Sequence, residues 1–247
     1  MDALSEIKST EQYVNEIAKD GVTVVKNMFH KKQLQLLKKE VNDIYSIVRN
    51  KIANLSRPLK KHSDITERYL GRLDFKCGFT ANIFEETAQP IIQLINNFSP
   101  TIDFRHYWGA IPSVSGAGST NMHRDVYPIL NTTEGVNLGS LDVSLPPYYF
   151  TALIPLVNIT LENGPTEFIK GSHRRLIVDA NQEDIYAPLL SPGDIVIFDG
   201  RTLHRGAANQ SADERLVAYI TFAAEWYHDQ TFMINHYMFP KLSVVGR

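Results

Sequence analysis

Hydrophobic residues in the first part of the chain recur at the spacing typical of helices. The longest pattern predicts one amphipathic helix from about Lys31 to Ala53. Its hydrophobic face consists of Leu34, Leu37, Val41, Ile44, Tyr45, Val48 and Ile52. We expect this helix to pack against one face of the core.

Two shorter helices are expected on either side of it. Ser9 or Thr10 can cap a helix that ends at Lys19, because a side-chain oxygen can accept a hydrogen bond from the first helical turn. The other helix is expected over Glu86–Asn97, with Pro90 in its first turns, where proline is tolerated.

The pattern then changes to short apolar runs separated by turn residues. The clearest runs are Ile102–Trp108, Tyr148–Ile159, Glu167–Ile169, Ile195–Phe198 and Arg215–Trp226. Val22–Val25 is a further strand candidate near the N-terminus. Many short strands at this spacing favour an antiparallel sandwich or a jelly roll. The prediction is therefore a mainly β protein with flanking helices.

Length and composition fit one globular domain. The chain has 247 residues, of which 43% are hydrophobic, which is enough for a substantial core. We divide this single domain, residues 1–247, into a helical part over about 1–100, a core over about 101–226 and a C-terminal extension.

Charge and cysteine content exclude several classes of protein. The net charge is −2 with no basic block, which argues against nucleic acid or an anionic membrane as a partner. No apolar run is long enough for a membrane span. Cys77 is the single cysteine, so no intrachain disulfide forms, and the N-terminus lacks the apolar region of a signal peptide. We expect a cytoplasmic protein that acts on a small molecule; its oligomeric state is left open.

A His-X-Asp motif, His123-Arg124-Asp125, supplies candidate chemistry near the middle of the chain. In an extended strand, alternate side chains leave the same face, so His123 and Asp125 can bind one metal ion together while Arg124 points away. Taken alone, the motif is equally compatible with a surface salt bridge or a turn.

A second histidine lies beyond a later strand. The segment Ser191–Asp194 is typical of a tight turn, Ile195–Phe198 of a buried strand, and His204 follows the end of that strand. With His123 and Asp125 it makes up two imidazoles and one carboxylate. This is the facial set of non-heme iron enzymes, which leaves coordination positions open for a co-substrate and oxygen.

An arginine opens the last apolar run of the core. Arg215 precedes Leu216–Ala224, and a guanidinium in such a position is costly to bury without an anion. A dicarboxylate co-substrate would supply one, since the planar guanidinium matches a carboxylate.

Together these passages resemble the phytanoyl-CoA dioxygenase family of iron(II)- and 2-oxoglutarate-dependent oxygenases. One is the His-X-Asp motif, another is Glu162–His173, which ends in Gly-Ser-His with Lys170 where the family usually has Pro, and the third is Gly193–Arg215. The family places its co-substrate arginine eleven residues after the second histidine, as Arg215 follows His204 here. The resemblance covers about residues 100–225.

The resemblance implies a double-stranded β-helix core, which is a cupin-like jelly roll, and an enzyme that uses Fe(II), 2-oxoglutarate and O2. It implies metal binding by His123, Asp125 and His204, and binding of the far carboxylate of 2-oxoglutarate by Arg215. Three further residues fall where some relatives contact the co-substrate: Asn121, Thr166 and Phe150. Structural hydrogen bonding is the alternative for Asn121 and Thr166, and core packing for Phe150.

The implied reaction is oxidation, and first of all hydroxylation, of an unactivated carbon in a small-molecule metabolite, while 2-oxoglutarate is converted to succinate and CO2. Desaturation, epoxidation or oxidative cyclisation in natural-product biosynthesis would use the same site. A cupin-like metalloenzyme without 2-oxoglutarate would lack an equivalent of Arg215. A non-catalytic binding protein on this scaffold would have lost a metal ligand.

The substrate contacts are the least constrained part of the sequence. Arg72, Tyr107, Tyr127 and Tyr148 are candidates. The polar segment Asn131–Pro147 follows the first ligands and is interpreted as a lid over the pocket, with a disordered insert as the alternative. His173 follows a Gly-Ser turn and is expected at the surface.

Overall fold

The computed structural model describes residues 8–54, 65–67, 71–78, 81–126, 146–175 and 178–227. Its helices are α1 (Thr10–Asp20), α2 (Lys31–Ala53) and α3 (Asn82–Phe98). Its strands are β1 (Val22–Val25), β2 (Ile65–Glu67), β3 (Leu73–Cys77), β4 (Phe104–Ser113), β5 (Tyr149–Pro155), β6 (Thr166–Phe168), β7 (Ile195–Asp199), β8 (His204–Gly206) and β9 (Arg215–Ala224).

The strands form one large and one small antiparallel sheet. The large sheet has the order β1-β7-β5-β9-β4-β3-β2, and the small sheet pairs β6 with β8. The longest pairing joins β4 to β9, from Phe104 opposite Ala224 to Ser113 opposite Arg215. An isolated bridge joins His123 to His204, so the His-X-Asp motif lies beside the small sheet. Residues of both sheets line one cavity between them.

The two faces of the large sheet have different neighbours because side chains alternate along each strand. On β5, Phe150, Ala152 and Ile154 join the main hydrophobic core with the helices, whereas Thr151 and Leu153 line the cavity. On β9, the cavity side is formed by Arg215, Val217, Tyr219 and Thr221. The helices thus seal one face of the sheet and leave the other for the site.

The first two helices agree with the sequence pattern. Ser9 caps α1 in a capping box with Gln12, and Gly21 ends it with a φ of 73°, a conformation that suits glycine. Helix α2 covers Lys31–Ala53 as expected, and all of its buried residues belong to the predicted hydrophobic face.

The third helix differs from the prediction. It begins at Asn82 rather than near Glu86, so Pro90 lies in its interior and not in its first turns. A proline there cannot donate to the carbonyl of Glu86. The Gln33 side chain of α2 donates to that carbonyl at 3.5 Å, a long hydrogen bond that connects α2 to α3.

The sheet confirms the predicted class and also extends it. The jelly-roll architecture expected for the core is present, and the runs after residue 100 form β4, β5, β6, β7 and β9. Strands β2, β3 and β8 were not predicted, since Ile65–Glu67 and His204–Gly206 are short and Leu73–Cys77 mixes polar and apolar residues. Residues 127–145 lie outside the described residues, and so do Tyr127 and most of the expected lid. None of the helices in the described ranges is long and apolar enough to cross a membrane.

Candidate metal centre and co-substrate pocket

The backbone brings the two ligand segments together. His123 and His204 exchange a pair of backbone hydrogen bonds of 2.9 Å each. The amide of Asp125 donates to the carbonyl of Gly200 at 2.8 Å, so the His-X-Asp segment runs along the chain that leads into β8. The three ligand candidates therefore meet through main-chain pairing, which fixes their relative positions.

Each imidazole has a defined orientation. Nδ1 of His123 is 2.7 Å from the carbonyl oxygen of Asn121, and Nδ1 of His204 is 2.9 Å from that of Thr202. A carbonyl oxygen can only accept, so in both rings Nδ1 carries the proton and Nε2 keeps a lone pair for a metal ion. Nε2 of His204 is 3.5 Å from Oδ1 of Asp125.

The carboxylate of Asp125 is held ionised. The hydroxyl of Thr151 donates to its Oδ2 at 2.8 Å. Burial raises the pKa of Asp125, but His204 and His123, when protonated in the absence of a metal ion, and the Thr151 hydroxyl together outweigh that effect and lower the pKa to about 2. The side chain remains 22% exposed, on the cavity side.

The three side chains can share one ion. One ligand atom from each of His123, Asp125 and His204 lies within 4.8 Å of the other two. Two neutral imidazoles and one carboxylate suit a divalent transition metal, and a set of only three leaves positions open for other ligands. The residues present therefore fit the iron(II) that the sequence implied.

Arg215 lies in the same cavity, nearly fully buried at 5% exposure. Its Nη1 donates to the carbonyls of Asn163, Gly164 and Ala207, and its Nη2 to the hydroxyl of Ser113 at 3.0 Å. Its Nε is buried and has no hydrogen-bond partner among the described residues. Burial, and then the charge of Arg72, lower the pKa of Arg215 to about 9. Such a cation calls for an anion in the pocket.

Arg72 places a second guanidinium beside the first. Its Nε donates to the Ser113 hydroxyl at 2.9 Å, and its terminal nitrogens donate to the carbonyls of Gly206 and Ala207 at 3.2 and 2.8 Å. A Cβ on Gly206 would lie 2.3 Å from Nη1 of Arg72, so only glycine permits this approach. Both arginines are thus fixed to one hydroxyl and to the backbone just after His204.

The rest of the cavity is mostly apolar. Its walls include Ile111, Leu153, Pro155, Ile159, Pro188, Leu190, Val196 and Val217. Asp74 and Tyr219 lie on the same face of the sheet, and the Tyr219 hydroxyl donates to the Asp74 carboxylate at 2.8 Å. The pocket therefore has a cationic end, a metal-binding end and apolar walls.

The predicted co-substrate contacts lie in different surroundings. Thr166, on β6, lines the cavity. Asn121 is exposed and is not among the cavity-lining residues; its backbone carbonyl orients His123. Phe150 packs in the core against Phe98 and Phe104 with no exposure, because Thr151 takes the cavity face at this point of β5. For Phe150 the structure supports core packing instead of a co-substrate contact.

The substrate candidates divide in the same way. Arg72 lines the cavity, whereas Tyr107 and Tyr148 do not. Tyr107 lies opposite Thr221, and Tyr148 is buried against Trp226 and Tyr227. Tyr127 lies outside the described residues.

The expectation for His173 is wrong. It is only 7% exposed, and Nε2 of its imidazole is 3.3 Å from the Ala18 carbonyl of α1. A Cβ on Gly21 would lie 2.4 Å from its Nδ1, which shows how closely the start of β1 covers the ring. The turn after Gly171 faces α1 rather than solvent.

Two residues of the site, Thr151 and Ser113, were not predicted from the sequence. Thr151 is the single hydroxyl residue in the apolar run Phe150–Leu156, and that polar interruption was a usable signal. Ser113, at the end of β4, gave no such signal, because it meets Arg215 only through the β4–β9 pairing.

Comparisons with known proteins agree with this geometry. A family model described as phytanoyl-CoA dioxygenase matches residues 17–217. The chain is 25% identical over 221 residues to the iron/alpha-ketoglutarate-dependent dioxygenase penM of Penicillium thymicola. That match covers 85% of this chain and 67% of penM, so the chain spans only part of this curated relative.

Solved structures share the fold at low sequence identity. AviO1 from Streptomyces viridochromogenes Tue57 has a TM-score of 0.64 and 17% identity, over 90% of this chain and 97% of that one. HygX from Streptomyces hygroscopicus, solved with nickel, 2-oxoglutarate and hygromycin B, has a TM-score of 0.63 and 13% identity, over 89% of each chain.

Proposed function

We infer the activity of this chain from its family, because the chain belongs to the phytanoyl-CoA dioxygenase family over residues 17–217. The resemblance noted in the sequence is thereby confirmed. The chain is an iron(II)- and 2-oxoglutarate-dependent dioxygenase, as penM is by its description.

The assignment of individual residues is our proposal, and one observation carries it. Three donor atoms of a facial metal set lie within 4.8 Å of one another, in a cavity that also contains the buried guanidinium of Arg215. We propose that His123, Asp125 and His204 bind iron(II). Arg215 binds the far carboxylate of 2-oxoglutarate, and Arg72 adds positive charge at the same end.

The chemistry of oxidation belongs to the cofactors: iron(II), 2-oxoglutarate and O2, when bound, supply the oxidising power that attacks an unactivated C–H bond and leaves succinate and CO2. The chain positions and shields them. The carbonyls of Asn121 and Thr202 aim the two Nε2 atoms at the ion, and Thr151 holds the carboxylate of Asp125. The apolar walls exclude water from the space next to the metal site.

We propose a free small molecule as the substrate. The apolar walls favour a molecule with substantial hydrocarbon surface. In support, HygX was solved with the small molecule hygromycin B. Hydroxylation is the first expectation. Desaturation, epoxidation or cyclisation would use the same residues.

Purified protein with ferrous iron and 2-oxoglutarate under air tests the proposal. Slow succinate formation without substrate is expected, and it should vanish in His204→Ala. A metabolite-extract screen by mass spectrometry then identifies the reaction: a gain of one oxygen indicates hydroxylation or epoxidation, and a loss of two hydrogens indicates desaturation or ring closure. Absence of succinate with a fully iron-loaded protein, across broad substrate panels, would refute the proposal.

Two alternative functions, a metalloenzyme that does not use 2-oxoglutarate and a non-catalytic binding protein, predict other results in this assay than the dioxygenase does. A metalloenzyme that does not use 2-oxoglutarate would bind iron but form no succinate, and Arg215→Met would leave its metal-dependent activity intact. A binding protein without catalysis would show neither iron-dependent succinate nor a mass change in any extract component. The buried Arg215 and the complete ligand set favour the dioxygenase.

A further inference from the structure

The residue between the two ligands of the His-X-Asp motif has its own hydrogen-bond network. Arg124 is not among the residues that line the cavity, unlike His123 and Asp125 on either side of it. Its Nη1 donates to the carbonyl of Ser172 at 2.9 Å and to that of Arg201, and its Nη2 donates to the carbonyl of Arg175 at 2.7 Å. One guanidinium therefore joins three separate points of backbone.

Two of these three backbone positions, Arg201 and Ser172, are connected to the segment that carries His204. In sequence, Arg201 directly follows Gly200 and lies three residues before His204. The carbonyl of Gly200 accepts a hydrogen bond from the amide of Asp125. Ser172 begins a short 3₁₀ turn, Ser172–Arg174, and its hydroxyl accepts a hydrogen bond from the amide of Leu203 at 2.8 Å. The carbonyl of Leu203 accepts from the amide of Ile169 at 3.0 Å.

The 3₁₀ turn therefore contacts the neighbours of all three ligands. It holds Leu203, the residue before His204, through the Ser172 side chain. It holds Arg124, the residue between His123 and Asp125, through the Ser172 carbonyl, and the carbonyl of Arg175, which follows the turn, accepts from Arg124 as well. A side chain with a single nitrogen cannot reproduce this pattern, because only the guanidinium fork has fixed donors in several directions. Ser172 and His173 of this turn are buried, whereas Arg174 is exposed.

We propose that Arg124 is a positioning residue for the metal centre: with the 3₁₀ turn Ser172–Arg174 it sets the spacing between the His123–Asp125 segment and His204. This inference rests on the proposed metal site. It assigns to Arg124 no contact with metal, co-substrate or substrate. Its contribution is to metal affinity and coordination geometry, through backbone that carries the ligands.

Cobalt(II) binding to the metal-free protein tests the inference. Dissociation constants and the visible absorption of bound Co(II) are measured for wild type, Arg124→Met and Arg124→Lys. Arg105→Met is the matched control, because Arg105 is also half-buried and donates to two backbone carbonyls, Glu225 and Tyr227, at 3.0 and 3.2 Å, with no contact to the ligand segments.

We expect Arg124→Met to bind Co(II) about 10- to 100-fold more weakly, the usual cost of losing a residue that orients metal ligands. Its Co(II) spectrum should also change, because the coordination geometry relaxes. Arg124→Lys, which keeps the charge but not the fork, should lie between Arg124→Met and wild type. Arg105→Met should lower the melting temperature without altering either metal readout.

The inference fails if Arg124→Met binds Co(II) with wild-type affinity and spectrum. If Arg124→Met does not fold, the same result for Arg124→Lys refutes the inference. It also fails if Arg105→Met weakens binding equally. The proposed function fails separately: wild-type protein that binds Co(II) tightly, but forms no succinate with iron, would refute the dioxygenase reaction and leave the role of Arg124 standing.

Discussion

Replacement of Arg215 by methionine separates binding from folding more clearly than any other change in the pocket. Methionine has a similar length but lacks the charge and every donor. In the proposed site the guanidinium would bind the far carboxylate of 2-oxoglutarate through about two charge-assisted hydrogen bonds. Each such charge-assisted bond contributes about 1.5–3 kcal/mol. Because Arg72 remains nearby, we expect the lower end, which is a loss in 2-oxoglutarate affinity of at least about 100-fold.

Folding stability should change less than binding, because two effects of similar size oppose each other. Burial and Arg72 lower the pKa of Arg215 from 12.5 to about 9, which corresponds to about 5 kcal/mol against the charged form in the folded protein. Methionine removes that cost. It also leaves the carbonyls of Asn163, Gly164 and Ala207 without this donor, at roughly 1 kcal/mol or more each. The unfolding free energy of the co-substrate-free protein should change by less than about 2 kcal/mol.

The assay is calorimetric titration of 2-oxoglutarate into metal-loaded protein under argon, paired with urea unfolding of the same samples without co-substrate. Arg215→Lys is the companion variant, since it keeps the charge but loses the fork, and it should bind with intermediate affinity. Wild-type affinity in Arg215→Met would refute the assignment of Arg215. A large loss of stability together with weak binding would show that the arginine holds the fold instead of the co-substrate.

Three further changes test separate parts of the structure. Gly206→Ala should raise the KM for 2-oxoglutarate several-fold, because the new Cβ would lie 2.3 Å from the Arg72 side chain. Gly118→Ala is the control, because a Cβ at Gly118 meets nothing within 4 Å. Equal KM values in the two variants would contradict the expected displacement of Arg72. Thr151→Val removes the hydroxyl that holds the ligand carboxylate and should weaken metal binding about 10-fold or more in a Co(II) titration; unchanged binding would show that the hydroxyl is dispensable. Leu37→Ala, at a fully buried position remote from the cavity, should cost about 2–5 kcal/mol in urea unfolding and leave the KM unchanged, so a raised KM would count against a separation of core and site.

Residue spacing predicts most of the longer helices and strands that bury one face. The face of α2 follows from residue spacing alone, because burying one side of a helix requires hydrophobic residues three and four apart. The strands of the large sheet that are apolar on both faces were recognisable for a similar reason: they lie between helices on one side and the cavity on the other. The donor types of the candidate metal set were also readable, since chemistry restricts which side chains bind iron.

Other features were decided by pairing between distant segments. Strand β8 has only three residues, and it exists because His204 pairs with His123 and Phe168. Pro90 lies inside α3, and Gln33 of another helix donates at 3.5 Å to the Glu86 carbonyl that the proline leaves without its helical donor. His173 is buried because α1 and the start of β1 cover a turn that is polar in sequence.

In the pocket, too, some features were predictable from the sequence and others depend on contacts between distant segments. Arg215 was recognisable as a buried cation at the start of a strand, and Arg72 was a candidate for a substrate contact, but their proximity through the shared hydroxyl of Ser113 was not predictable. The proposed role of Arg124 depends on carbonyls about fifty and eighty residues further along the chain. Local sequence specifies which atoms a residue offers and which face it prefers. Its partners are set by the register between strands, because pairing distant segments costs chain entropy that only the assembled sheets and core repay.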